Sequence, residues 1–345
     1  MPPSPLSSLG LGDLVRAALS LPLFSLLLAV LVFAIVLMVN RRQESIDRSA
    51  AAPHVVTVRY RHEHRILGIG SLVVIAVFSI ENVVRGYLVM TPDVVSWWRF
   101  ATPVFAVFAV LAVALGSILV RRSALPTQPV MPLGRRTWRT FNSTSDIALA
   151  LSSVAALLVT TILAGLASSA DSRGRFIHLQ IPVPNSTVDP LRPWFYGWAY
   201  GVPVLIGLAG LAVVTALTLH ASAARSFLRP DTVGPEQGER MKTASGVARL
   251  AAAASLLALG GALRFIARAG SLSGVSIEDG NGQSNTYEMI WKYAEFAVVG
   301  GWLAPVLEVV AFLLLLLVAN RLLRRTPAAR TIGPRDTAQP AGAAR

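Results

Sequence analysis

Apolar runs of about 20 residues recur seven times along the chain, each long enough as a helix to cross a hydrocarbon core of about 30 Å. Between them Arg, Asp, Glu, Pro and Gly gather in shorter polar stretches. The pattern predicts spans over 21–39, 66–90, 100–120, 147–170, 198–219, 247–267 and 293–319. The expected fold class is therefore all-α, a polytopic membrane bundle of seven transmembrane helices. Its organisation would be an outer N-terminal segment (1–20), the seven-helix domain (21–320) and a cytosolic tail (321–345). The tail's Ala, Pro, Thr and Arg composition predicts disorder.

Composition agrees with the pattern. Of 345 residues, 54% are hydrophobic and only 14% charged, and the mean hydropathy is +0.59, values of a membrane protein rather than a soluble domain. The net charge of +13 is unevenly placed. The loops 40–65, 121–146 and 220–246 with the tail hold 21 Lys and Arg, the loops on the other side 7. Basic residues are retained on the cytoplasmic side, so the N-terminus is expected outside and the C-terminus in the cytosol. That bias, with attraction to an anionic leaflet, accounts for the charge without a nucleic-acid partner. Membrane lipids are the partners it implies, in a plasma or internal membrane.

The first run lacks a basic lead-in and ends at Asn40-Arg41-Arg42, so it reads as an anchor rather than a cleaved signal. There is no cysteine, hence no disulfide and no thiolate metal site. Asn185-Ser186-Thr187 is a glycosylation sequon in an outer loop, making Asn185 a candidate acceptor. The cytosolic segment from Val56 to Arg65 alternates between two faces and predicts a short strand or surface-lying segment. Its His62-Glu63-His64 run has no companion ligand set, so no metal is assigned. No cofactor motif, phosphate-binding loop or hydrolase triad appears.

Charges inside spans are the informative residues, because each is costly in hydrocarbon and tends to face the bundle interior or a water-filled cavity. Glu81 and Arg85 share a face of the second span, Arg264 and Arg268 a face at the end of the sixth, and Arg99 opens the third. Glu295 and Glu308 lie on the seventh, about 20 Å apart at 1.5 Å per residue. With the expected topology, all but Glu308 fall in the outer third of the membrane. The six residues Glu81, Arg85, Arg264, Arg268, Glu295 and Glu308 are the candidate ligand site, with Arg99 beside them. The competing structural reading is an internally paired network with Arg side chains reaching the interface. Glu308 stands apart, either protonated or paired with an Arg of another helix. Pro305 close before it makes the seventh helix the expected ligand-lining or moving element.

Aromatic residues cluster on the outer side at Trp97, Trp98, Trp194, Phe195, Tyr196, Trp198, Trp291 and Tyr293, as an interfacial belt would. Seven spans with an outer N-terminus is also the topology of rhodopsins and G-protein-coupled receptors. Lys292 at the membrane edge is misplaced for a retinal Schiff base, and the Leu119-Val120-Arg121-Arg122 exit of the third span lacks an acidic-Arg-aromatic triad.

The stretch Ala262-Leu263-Arg264-Phe265-Ile266-Ala267-Arg268-Ala269-Gly270, followed by an outer loop, a seventh helix with central Glu308 and a basic exit at Arg321, resembles a family of filamentous-fungal seven-helix proteins sometimes labelled receptor-like. The resemblance implies an architecture without a reaction or ligand. The leading functional expectation is a receptor-like protein binding an amphipathic or anionic small molecule from the outer side. The alternatives are an intramembrane enzyme of lipid or terpenoid cyclase type, with Glu81 or Glu295 and Glu308 as acids, and a small-solute transporter coupled through Glu308. The missing aspartate-rich diphosphate motif weighs against the enzyme, and the absence of visible repeats against the transporter.

Overall fold

Each apolar run forms a helix in the computed structural model, which describes residues 23–44, 54–84, 95–120, 138–183, 189–278, 284–288 and 291–324. The helices are α1 (Phe24–Glu44), α2 (His54–Val83), α3 (Thr102–Val120), α4 (Thr144–Ala167), α5 (Trp198–Ala223), α6 (Val233–Gly270) and α7 (Ala294–Leu323). Six are long and apolar enough to cross a membrane, and in α1 the apolar stretch Phe24–Val39 is shorter. The outward faces carry exposed Leu27, Ile35, Val113, Leu163, Ile206, Val213 and Val299. Apolar surface this extensive is stable only against lipid, so the chain is an integral, multi-pass membrane protein.

The centre of the bundle is α6, which packs on α2, α3, α4, α5 and α7. Its middle is built from Ala and Gly: Ala248, Ala251, Ala252, Ala253, Ala254 and Ala258 are all buried. Small side chains let neighbouring backbones approach closely, which is how helices associate where lipid removes the hydrophobic drive between them. The tightest approach is to α7, which runs antiparallel to α6. A Cβ added at Gly270 would strike Ala297, one at Gly260 would lie 2.9 Å from Glu308 Cγ, and one at Gly246 would reach Leu322. By contrast, α1 packs chiefly on α7.

Two short antiparallel hairpins lie at the end of the bundle where α6 turns back into α7. Strand β1 (Ser168–Ala170) pairs with β2 (Phe176–Leu179), and β3 (Gly274–Glu278) with β4 (Ser284–Glu288). We call this the hairpin end. The fourth span therefore stops at Ala167, where the chain turns into β1.

The structure corrects two expectations about the polar segments. Val56–Arg65 is neither strand nor surface segment but the first three turns of α2. Val56, Tyr60, Glu63, His64, Leu67, Ser71 and Val74 form its buried stripe, at helical spacing. Residues 233–246, expected in a loop, are the first turns of α6. The aromatic belt is also divided. Trp97, Trp98 and Tyr293 are exposed, but Phe195 and Tyr196 are fully buried under the β1–β2 hairpin. Tyr196 meets the edge of the Phe100 ring at 5.0 Å and shares a 3.2 Å hydrogen bond with Thr161. Burial pushes its hydroxyl above the usual phenol range, against the opposing effect of the Thr161 bond.

Candidate functional site

A cleft of about 540 Å³, counting the space at its open mouth, lies among α2, α3, α6 and α7 toward the hairpin end. Its polar lining is Glu81 and Asn82 from α2, Arg99 from the turn before α3, Arg264 and Arg268 from α6, and Glu308 from α7. Phe78, Phe100, Pro103, Leu257 and Phe265 complete the wall. Four of the six expected site residues, Glu81, Arg264, Arg268 and Glu308, thus share one cavity with Arg99. Glu295 does not: it lies exposed in the first turn of α7, away from the cleft lining. Arg85 and Asn185 lie outside the described residues.

Glu308 is 8% exposed, and its carboxylate is fully engaged. Arg264 Nη2 donates to Oε2 at 2.6 Å and Nε to Oε1 at 3.3 Å. Ser25 of α1 donates from Oγ to Oε2 at 2.7 Å. Donors converge on both oxygens, an arrangement that suits an acceptor-only carboxylate. Of the two expected states of Glu308, protonated or paired with an Arg of another helix, the structure has the pair, and the carboxylate joins the cleft lining. Side chains lean toward the N-terminus of their own helix, and in the antiparallel pair α6 and α7 that tilts Arg264 and Glu308 toward each other. Gly260, one turn before Arg264 on α6, leaves the space Glu308 fills.

The rest of the cleft is less tightly closed. The Arg99 guanidinium lies over two rings, 5.2 Å from the centroid of Phe100 and 5.3 Å from that of Phe265. This contact orients the cation and turns the aromatic wall into part of the charged lining. Arg268 is exposed, with no ion pair to any described residue. Taken together, the described lining carries three guanidiniums and two carboxylates over an aromatic floor. It can orient an acidic group at one end and shelter an apolar body at the other.

Sequence reasoning missed a second polar region, at the opposite end of the bundle. Glu236 on α6 accepts from Arg59 (3.2 Å), Tyr60 (3.4 Å), Thr232 (3.0 Å) and the Leu228 backbone N–H (2.9 Å). Arg240, fully buried, donates to Tyr60 Oη at 3.0 Å and to the carbonyls of Ala223 and Ser226, and its guanidinium lies 4.2 Å from the Phe227 ring centroid. Arg225 meets Glu63 at 2.6 Å, and His64 contacts Glu239 at 3.5 Å and Thr243 at 3.1 Å. Asp146 on α4 binds Ser245 (2.7 Å) and Arg249 (2.9 Å). The signal for this network was the helical stripe Tyr60, Glu63, His64 together with Glu236, Glu239, Arg240 and Thr243 on α6. Among the described residues no group of three or more His, Asp or Glu could hold a metal ion.

The chain matches no protein-family model, no curated protein and no solved structure. What it can be shown to be therefore rests on its own residues: an all-α, integral membrane bundle with a charged cleft at one end.

Proposed function

We propose that this protein binds an amphipathic small molecule with an acidic headgroup in the cleft, as a receptor or carrier of that ligand. The observation that carries the reading is the meeting of Arg99, Arg264 and Arg268 on an aromatic wall in a cavity with an open mouth. At the other end of the molecule the acids are buried and paired, with Glu236 and Arg240 fully enclosed. The engagement of both Glu308 oxygens by donors argues against using it as the proton donor of a cyclase. On the positive-inside bias the cleft opens on the outer side, with a cytosolic C-terminus.

The test is a headgroup series on the purified protein in phosphatidylcholine nanodiscs: dodecanoate, dodecyl phosphate, dodecanol and dodecyltrimethylammonium. The acids are expected to bind at least about tenfold tighter than the other two, and Arg268→Gln to remove most of that preference. Equal binding of all four would overturn the reading. The orientation is checked separately. With no native cysteine, Ser276→Cys in β3 gives a unique label site, expected to react with an impermeant maleimide from the outer face of intact cells.

A further inference from the structure

The same carboxylate that lines the cleft also holds α1. Ser25 Oγ donates to Glu308 Oε2, the oxygen that also receives the 2.6 Å bond from Arg264. Elsewhere α1 offers lipid-facing Leu27, Leu31, Ile35 and Met38, and Ser25 supplies its side-chain hydrogen bond to another described helix. A ligand-facing group and a helix-fastening group are therefore one and the same.

Arg264 is the innermost cation of the cleft, and its fork is already filled by a carboxylate in two-point contact. Arg99 is held against its two rings, and Arg268 stands exposed. An incoming acid thus meets Arg268 first and competes with Glu308 for the Nε–Nη2 edge of Arg264. The fork already holds a carboxylate at two points, and a ligand carboxylate reproduces that geometry.

We infer that Glu308 is the resident carboxylate of the ligand's own seat, that the ligand is a long-chain monocarboxylic acid, and that its capture on Arg264 displaces Glu308 and releases the Ser25 tie between α7 and α1. The inference rests on the proposed anion-binding role of the cleft. It adds the ligand class and a consequence of binding. Pro305, one turn before Glu308, lacks the N–H that would bond to Gly301, so α7 has a weak point beside the displaced residue.

The decisive experiment compares dodecanoate and dodecyl phosphate binding to the wild-type chain, Glu308→Gln and Ser25→Ala in phosphatidylcholine nanodiscs. Removing the resident carboxylate makes the seat permanently available, so Glu308→Gln is expected to bind dodecanoate about tenfold or more tighter than wild type. Ser25→Ala should give a smaller gain in the same direction, and it leaves every residue of the cleft lining in place. Tightening by Ser25→Ala supports the displacement even where Glu308→Gln does not fold. Wild-type binding that is unchanged or weakened in both variants overturns the displacement while leaving the anion-binding role standing. Failure of every variant to prefer acids over dodecanol overturns both. Dodecyl phosphate binding Glu308→Gln as tightly as dodecanoate overturns the carboxylate assignment.

The movement has its own readout. Spin labels at Leu31→Cys on α1 and Val213→Cys on α5, both exposed positions in a chain without cysteine, report the distance from α1 to the bundle. Dodecanoate should shift or broaden that distance by an amount on the order of 2–5 Å, as helix displacements do. A distribution unmoved by saturating dodecanoate refutes release of α1.

Discussion

The two charged regions of this molecule use the same residue types to opposite ends. At the hairpin end, Arg99, Arg264 and Arg268 outnumber Glu81 and Glu308 around an open cleft, and Arg268 faces solvent without an ion pair to any described residue. At the opposite end the buried acids Glu63, Glu236, Glu239 and Asp146 each have an ion-pair partner among Arg225, Arg59, Arg240, Lys242 and Arg249. Glu236 and Arg240 are fully buried, and several of their partners are backbone groups of the α5–α6 turn. The buried network ties the α5–α6 turn to α2 and α6, while the cleft leaves Arg268 exposed with no ion pair to a described residue. Burial and pairing distinguish the two regions, and the number of charges does not.

Breaking the closed region should have the largest effect. Arg240→Ala leaves Glu236, Tyr60 and two carbonyls short of a buried donor, and such losses cost about 3–5 kcal/mol. The expected outcome is a steep fall in thermal midpoint in detergent, or loss of the folded protein. A smaller effect at Arg240 than at Arg264 would erase the distinction between the regions. Next, Arg225→Met alone removes the 2.6 Å partner of buried Glu63 and is expected to cost about 3 kcal/mol, whereas Arg225→Met with Glu63→Leu should recover most of that loss. A double-mutant cycle on unfolding midpoints measures the coupling.

Substitutions at the rim of the open region should leave stability nearly unchanged and alter binding instead. Arg268→Gln is expected to change stability by no more than about 0.5 kcal/mol, with a loss of about tenfold in dodecanoate affinity. The smallest effect is local and depends on pH. Asp171, in the β1–β2 turn, is held below the usual carboxylate range: burial works upward but is outweighed by hydrogen bonds from the Arg175 backbone and side chain and the Arg173 backbone. A depressed pKa means the native turn favours the ionised form. Its contribution is complete above the unfolded carboxyl pKa of about 3.9 and fades as pH falls through the lower native value. Hydrogen exchange at the Arg175 amide should quicken in that acid window and lose its pH dependence in Asp171→Asn, with the distant closed network unaffected.

The helices were legible because hydrocarbon imposes one rule: every backbone polar group must bond within its own segment. The grouping of Glu81, Arg264 and Arg268 was also legible, since residues near the same end of neighbouring spans reach one depth. The partner of Glu308 was not, because it depends on two side chains leaning toward each other across an antiparallel contact that Gly260 makes possible. The helical character of 56–65 was hidden by a degeneracy. Val56, Tyr60 and His64 are spaced by four and fit an alternating pattern as well as a helical one. The exposure of Val58 and His62 and the burial of Glu63 separate the two.

By itself, then, the sequence determined the solvent of this protein, the number of apolar helices and the approximate depth of its charges, since these follow from local composition and helical rise. Tertiary structure decided which charges are compensated. The polar first turns of α6 read as loop until α2 and the α5–α6 turn are folded against them, and a fully buried Arg240 is stable only with its partners in place. Compensation is a property of pairs far apart in the chain, such as Tyr60 with Arg240 or Ser25 with Glu308, and no local pattern encodes it.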